Sequence, residues 1–429
     1  MERSIITQLK AWKQSPLRKP LILAGARQVG KTYILREFGK REYENVAYIN
    51  CDNNPAVAGL FAEDYDMKRV LLVIGALTGQ TITPGRTLII LDEIQELPRG
   101  LSALKYFREQ APEYHVAVAG SLLGVAMHRG ESAPVGKADI IRMGPMSFVE
   151  YLMARGETQL TQILLSRDWP TIAMLHVRLT KLLREYYFVG GMPEAVSTFL
   201  KTNDANEVRR VQNDILYLYR SDMSKHVSAD EATRISMVWQ SIPSQLAREN
   251  KKFVYGAVRK GARAKDFETA ILWLMDAGLI YKVPRVREVG MPLKFYEDLN
   301  AFKIFMLDVG LLGALSEMAP ALMLMSNNVM TGSKGAFTEN YVLCQLKALP
   351  DTATYYYSRE DSRMEVDFVA QHQGRIIPIE VKAEENLRSK SLRAFMDRHE
   401  DLHAVRFSMS PYREQGWMTN YPLYAVQAI

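Results

Sequence analysis

The residues Gly25-Ala26-Arg27-Gln28-Val29-Gly30-Lys31-Thr32 follow directly on the apolar run Leu21-Ile22-Leu23-Ala24 and lead into Tyr33-Ile34-Leu35-Arg36-Glu37-Phe38. The spacing G-x-x-x-x-G-K-[ST] between a buried strand and a helix-forming stretch constrains this part of the chain to a strand, a tight loop and a helix. The glycines let the backbone fold into a nest of N–H donors. Lys31 supplies a point charge for β and γ phosphates, and the Thr32 hydroxyl is a ligand for Mg²⁺. A glycine turn capping an unrelated helix is the bland alternative, and the flanking pattern argues against it.

A second stretch supports the same reading. Thr87-Leu88-Ile89-Ile90-Leu91-Asp92-Glu93 has the continuous apolar character of a buried parallel strand and ends in two carboxylates. Asp92 is the candidate holder of the metal through water, and Glu93 the candidate to orient or deprotonate the attacking water. Asn45–Asn50 and His115–Ser121 read as further strands, and Ile140–Met143 as the last of the set. Ser121 is open to two readings, a sensor of the γ-phosphate or an N-cap serine before Leu122. Strands alternating with helical patterns over residues 1–155 give an α/β fold, a phosphate-loop core with a parallel sheet.

At 429 residues the chain exceeds one compact core, and length alone predicts about three domains. Apolar residues make up 48% and charged residues 24%, which excludes dominant disorder. Stretches such as Val70–Ile74 are far too short for a membrane span, and the first residues lack the order of a secretory signal, so the expectation is a cytoplasmic protein with no membrane partner. Cys51 and Cys344 match no metal spacing and read as packing residues. A net charge of +6 permits an acidic polymer as partner, and equally a mildly basic solvated surface.

Residues 156–230 are helical in pattern, broken at Gly190-Gly191-Met192-Pro193, and read as a helical lid. Residues 231–320 have the order of a winged helix. Phe253–Val258 precedes a basic turn, Arg259-Lys260-Gly261-Ala262-Arg263; a helix follows with Asp266 as candidate N-cap and Gly278 as its stop. A hairpin of Ile280–Val283 and Lys303–Leu307 completes it. Lys260, Arg263 and Lys265 would meet DNA phosphates, or the module only packs on the nucleotide domain.

Between 330 and 429 a second chemical constellation stands out. Arg363–Val369 and Ile377–Lys382 alternate with period two around a turn at Gln373-Gly374, which predicts a hairpin. Glu380 and Lys382 share one strand face, as do Glu365 and Asp367. If Asp367 and Glu380 converge, they can hold Mg²⁺, with Lys382 orienting a water and Glu339 delivered by the Gly335–Val342 helix. The alternative is a half-exposed hairpin whose outer face carries charges. Val369, Ile376 and Pro378 on that face imply that a helix covers it.

Together these motifs resemble a group of prokaryotic AAA-like ATPases that carry a C-terminal domain of unknown function. The signatures include the Gly25–Thr32 loop, Leu91–Gln95, Ala119-Gly120-Ser121, Pro145–Glu150, Gly190–Pro193, Phe305–Leu311 and the Gly335–Asn340 helix. The resemblance implies ATP with Mg²⁺ as cofactor, Gly191 and Pro193 as a G-x-P turn on the adenosine, and ATPase activity. The last segment is similar to the restriction-endonuclease-like fold with its D…E-x-K metal motif, on Asp367, Glu380 and Lys382, with Glu339 at the remaining expected position. Where relatives show Gly-Arg, this chain has Gly136-Lys137, which leaves Arg129 and Arg142 as candidate arginine fingers, with a structural surface role as the favoured alternative for each. The expected partners are ATP or ADP, DNA as a candidate, and further copies of the chain in a homo-oligomer. The expected function is ATP hydrolysis coupled to DNA binding or Mg²⁺-dependent DNA processing. The competing expectation is a slow nucleotide switch, regulatory or defence-related, without nuclease activity.

Overall fold

A computed structural model of the chain describes residues 1–121, 123–128, 136–225, 227–320, 334–359, 364–383 and 390–429. These residues divide into two compact units, one made of Glu2–Gly144 with Asp276–Leu279, the other of Pro145–Met275 and Ile280–Ile429 with Met1.

In the first unit five strands, β1 (Leu21–Ala24), β2 (Asn45–Asn50), β3 (Thr87–Asp92), β4 (His115–Ala119) and β5 (Asp139–Arg142), form a sheet in the order β2-β3-β4-β1-β5. Every pairing is parallel. All residues of β1, β3 and β4 are buried, as uninterrupted apolar runs require when both sheet faces are covered. The helices Met67–Thr78 and Gly100–Gln110 contribute Met67, Val70, Ile74, Leu101, Leu104 and Phe107 to the core on one side. Asp66 starts the first of these by accepting from the N–H groups of Lys68 and Arg69. Because β4 lies between β1 and β3, the loop after β1, the carboxylates after β3 and Ser121 after β4 all issue from the same sheet edge.

The first unit, as its contacts group it, runs to Gly144. The Phe148–Ala154 helix, begun by a reciprocal capping box of Ser147 and Glu150, instead packs in the larger unit, where Phe148 N–H donates to Gln345.

The larger unit joins the segments read from sequence as lid, winged helix and C-terminal domain. Its helices include His176–Val189, Pro193–Thr202, Ala205–Asp222 and Ala229–Leu246. The helix Ala264–Asp276 starts earlier than expected: Asp266 lies inside its first turn and accepts from Arg263 N–H, so it closes the end from within rather than serving as N-cap. Gly278, at φ +72°, follows that helix.

Eight strands make one sheet: β6 (Ile280–Val286), β7 (Glu297–Met306), β8 (Thr352–Ser358), β9 (Glu365–His372), β10 (Arg375–Val381), β11 (Ala404–Ser408), β12 (Arg413–Gln415) and β13 (Met418–Pro422), in the order β12-β13-β11-β10-β9-β8-β6-β7. The β6–β7 hairpin is antiparallel and joins β8 through parallel pairing of Arg285 with Tyr356 and Val286 with Tyr357. The expected divide at 320–330 thus falls within a single sheet. The helix Lys334–Lys347 precedes an antiparallel run of β8, β9 and β10, and the helix Lys390–Met396 carries the chain across to β11, parallel to β10. Leu392, Phe395 and Met396 of that helix cover Val369 and Ile376, the apolar residues that implied such a cover.

Candidate functional site

The phosphate loop has the backbone its sequence demands. Gly30 takes φ +96° as the residue before the Lys31–Glu42 helix, and Gln28 takes φ +64° within the turn. At Gly25 a β-carbon would stand 2.1 Å from the Met143 carbonyl oxygen, so only glycine fits there. The amides of the loop therefore converge at a helix N-terminus, the geometry that receives phosphate. Lys31 is buried, and its ammonium donates to the carbonyls of Gly25 at 2.8 Å and Ala26 at 2.7 Å. Burial pulls it down to about 8, opposed by the charges of Glu93 and Asp92. Val29 is buried, and Arg27 and Gln28 are partly so. The guanidinium of Arg3 donates to the Val29 carbonyl at 3.0 Å and to that of Gly144 at 2.7 Å, a brace the sequence motif did not signal.

Across the sheet edge, Thr32 Oγ1 donates to Asp92 Oδ2 at 2.6 Å, and the Tyr48 hydroxyl donates to the same oxygen at 3.1 Å. The residues present fit Mg·ATP: an amide-lined cradle, a buried ammonium, and a hydroxyl paired with a carboxylate that together suit a hard cation. Glu93 follows with a left-handed backbone, φ +53°. Its Oε2 accepts from Ser121 N–H at 3.0 Å, Ser121 Oγ at 3.2 Å and Gln95 Nε2 at 2.6 Å. Ser121 is thus a partner of Glu93. Gln95, two residues on, carries no motif of its own, and only its place just beyond the acidic pair could have marked it.

In the larger unit the C-terminal residues also converge. Phe368 pairs with Ile379 across β9 and β10, so Asp367 and Glu380 are the next residues along, and Asp367 Oδ2 accepts from Val381 N–H at 2.7 Å. Glu380 is buried and pairs with Lys382 Nζ at 2.5 Å. Burial, then the charge of Asp367, pushes Glu380 up to about 7. Glu339, buried on its helix, accepts from Lys251 Nζ at 2.6 Å. Lys303, wholly buried on β7, donates to Glu365 at 2.5 Å and stands 4.8 Å above the Tyr356 ring. Burial alone would lower its pKa; Glu339, Glu365 and Asp367 outweigh that and hold it above the usual lysine range. The cluster is therefore acidic residues interleaved with three ammonium groups. Among the described residues no group of three or more His, Cys, Asp or Glu side chains is arranged to hold a metal ion. As placed, Glu339, Asp367 and Glu380 do not fit a shared divalent cation: Lys251 and Lys382 pair with Glu339 and Glu380, and the Val381 N–H holds Asp367 Oδ2.

Residues 17–152 match the family model described as an AAA domain. The first unit is thus similar to AAA domains. Residues 180–322 and 334–425 match two models described as domains of unknown function, DUF8612 and DUF4143. No curated protein matches the chain. Similar solved structures include the Aeropyrum pernix ORC1 protein in complex with DNA, at 13% identity, covering 74% of this chain and 93% of that one with a TM-score of 0.30. The Thermotoga maritima RuvB Holliday junction branch migration motor shares 16% identity over 66% of this chain and 90% of its own, with a TM-score of 0.26. CDC6P from Pyrobaculum aerophilum shares 12% over 73% and 92%, with a TM-score of 0.25. At such scores no property passes from those proteins to this one.

Gly191 and Pro193 belong to a turn of the larger unit, in which Gly191 N–H donates to Asp308 Oδ2 at 2.6 Å, the Gly191 carbonyl accepts from Met146 N–H at 2.6 Å, and Pro193 opens a helix. Arg142 is exposed on β5, Arg129 lies outside the described residues, and Lys137 pairs with Glu109 at 2.9 Å. Cys51 and Cys344 are both free thiols. Among the described residues no helix is long and apolar enough to cross a membrane.

Proposed function

We propose that the chain binds and hydrolyses ATP in its AAA-like domain, as a slow nucleotide switch whose larger unit carries the output. The observation that carries this reading is Glu93 at the tip of β3, beside the Thr32–Asp92 pair and gripped by Ser121 and Gln95. Mg·ATP, when bound, supplies an activated γ-phosphate. Thr32 and Asp92 are the residues that would hold the metal, and Lys31 with the loop amides would hold the phosphates. Glu93 would orient the attacking water and accept its proton. Its three hydrogen-bond donors compete with water for the same oxygen, which favours slow turnover.

The order of helix, three antiparallel strands, crossover helix and parallel strand supports reading residues 334–429 as a restriction-endonuclease-like fold. The lysine-paired carboxylates favour a binding module over a nuclease. Lys260, Arg263 and Lys265, exposed before and within the Ala264–Asp276 helix, support DNA as the bound polymer and a winged-helix role for that segment. We place the protein in the cytoplasm as a homo-oligomer on the same reading.

Glu93→Gln tests it. ATP affinity is expected to stay within about threefold while turnover falls at least ~100-fold, the scale of a lost general base. Unchanged hydrolysis would remove Glu93 from its role. Hydrolysis accelerated tenfold or more by duplex DNA would replace the switch with a DNA-driven motor.

A further inference from the structure

The C-terminal cluster draws two of its three cations from outside the segment that supplies its carboxylates. Glu339, Glu365, Asp367 and Glu380 lie between residues 334 and 383, whereas Lys303 comes from β7 and Lys251 from the connection after the Ala229–Leu246 helix. The two lysines differ in freedom. Lys303 is wholly buried within a paired strand and cannot leave without opening the sheet. Lys251 sits on a loop, keeps 15% of its side chain exposed, and holds a left-handed backbone at φ +48° that a lysine adopts only when its surroundings impose it. The loop is pinned on its far side, where Gln245 exchanges two hydrogen bonds with Val254 and Phe253 N–H donates to the Phe302 carbonyl.

Glu339 is only half satisfied by this contact. Oε1 accepts from Lys251 at 2.6 Å, while Oε2 is buried with no hydrogen-bond partner among the described residues. Glu339 also faces the charges of Asp367 and, more weakly placed, Lys303. Without Lys251, a buried carboxylate would stand with both oxygens bare beside another acid, a costly arrangement that a divalent cation relieves.

We propose that Lys251 is a resident cation that latches the C-terminal carboxylate cluster and withholds it from divalent metal ions. Lys303 is the fixed counter-charge of the cluster, and Lys251 is the removable one. The latch stands whether or not the nucleotide reading of the other unit does, because none of its residues belongs to that unit.

The test is a calorimetric titration of full-length, nucleotide-free protein with Mn²⁺. Lys251→Met is expected to bind Mn²⁺ at least tenfold more tightly than wild type, Lys251→Arg to behave as wild type, and Lys251→Met with Glu339→Gln to lose the gain. Equal affinity of wild type and Lys251→Met, or no binding by either, overturns the proposal. Should Lys251→Met fail to fold, lysine labelling of the wild type read by mass spectrometry decides. Lys251 is expected to react at least tenfold more slowly than Lys260, and 1 mM Mn²⁺ is expected to leave that rate unchanged. A Lys251 that labels as fast as Lys260, or that Mn²⁺ makes reactive, defeats the latch.

Discussion

Glu93 is an acid whose position is set by its neighbours as much as by its strand. Its left-handed backbone swings the carboxylate off the line of β3 toward Ser121, and Gln95 completes the grip from two residues downstream. Gln95→Ala is expected to raise kcat about tenfold by freeing Glu93 Oε2 for water, while leaving ATP affinity unaltered; measured kcat equal to or below wild type would make Gln95 no brake on turnover. Gly25 permits a second prediction. A β-carbon there collides with the Met143 carbonyl, so Gly25→Ala is expected to weaken ATP binding at least tenfold by calorimetry. Lys31, Thr32, Asp92 and Glu93 were legible in the sequence because a phosphate loop and an acidic strand end are local patterns. Arg3, Tyr48, Lys251 and Lys303 were not, since each acts across a long sequence separation. Lys303 alone left a trace, a cation between Phe302 and Ile304 in a strand otherwise apolar.

The turn Gly190–Pro193 is held by one buried carboxylate. Asp308 caps the Val309–Leu315 helix through Leu311 N–H at 2.9 Å and accepts from Gly191 N–H with its other oxygen. At Gly190, φ is +72° and a β-carbon would stand 2.3 Å from Asp308 Oδ1, so Gly190→Ala is expected to cost about 3 kcal/mol or more in urea denaturation. Burial raises Asp308 to about 6, against the backbone donors that lower it. The folded state therefore binds more protons than the unfolded between about pH 4 and 6, and this group's contribution is present below pH 4 and lost as pH rises through 6. Asp308→Asn is expected to remove that part of the slope, seen as a smaller fall in stability from pH 4.5 to 6.5 than in wild type. The sequence marked both ends of this contact, Gly190–Pro193 and Phe305–Leu311, as separate signatures; nothing local to either announced that they meet.

At the scale of the whole chain, the strands and hairpins were readable where alternation or apolar runs were long, as in β3 and in β9 with β10. Their assembly was not. The β6–β8 pairing rests on two register pairs in parallel strands far apart in sequence, which leave no periodic mark. It follows that residues 330–429 alone lack β6 and β7, lack Lys303, and lose the anchor in which the Asn340 side chain bonds both the N–H and the carbonyl of Met306. Expressed separately, that segment is expected to show no cooperative thermal transition by circular dichroism, whereas 145–429 is expected to show one. A cooperative transition in the short segment would mean the hairpin is dispensable.

The seam between β6 and β8 also bears on how such chains diversify. Two family models, ending at residue 322 and beginning at 334, meet in one continuous sheet. A recombination event that swapped the tail for that of a distant relative would have to supply a matching strand edge at Tyr356–Tyr357 and an acid for Lys303. The hairpin and the tail are thus obliged to be inherited as a pair.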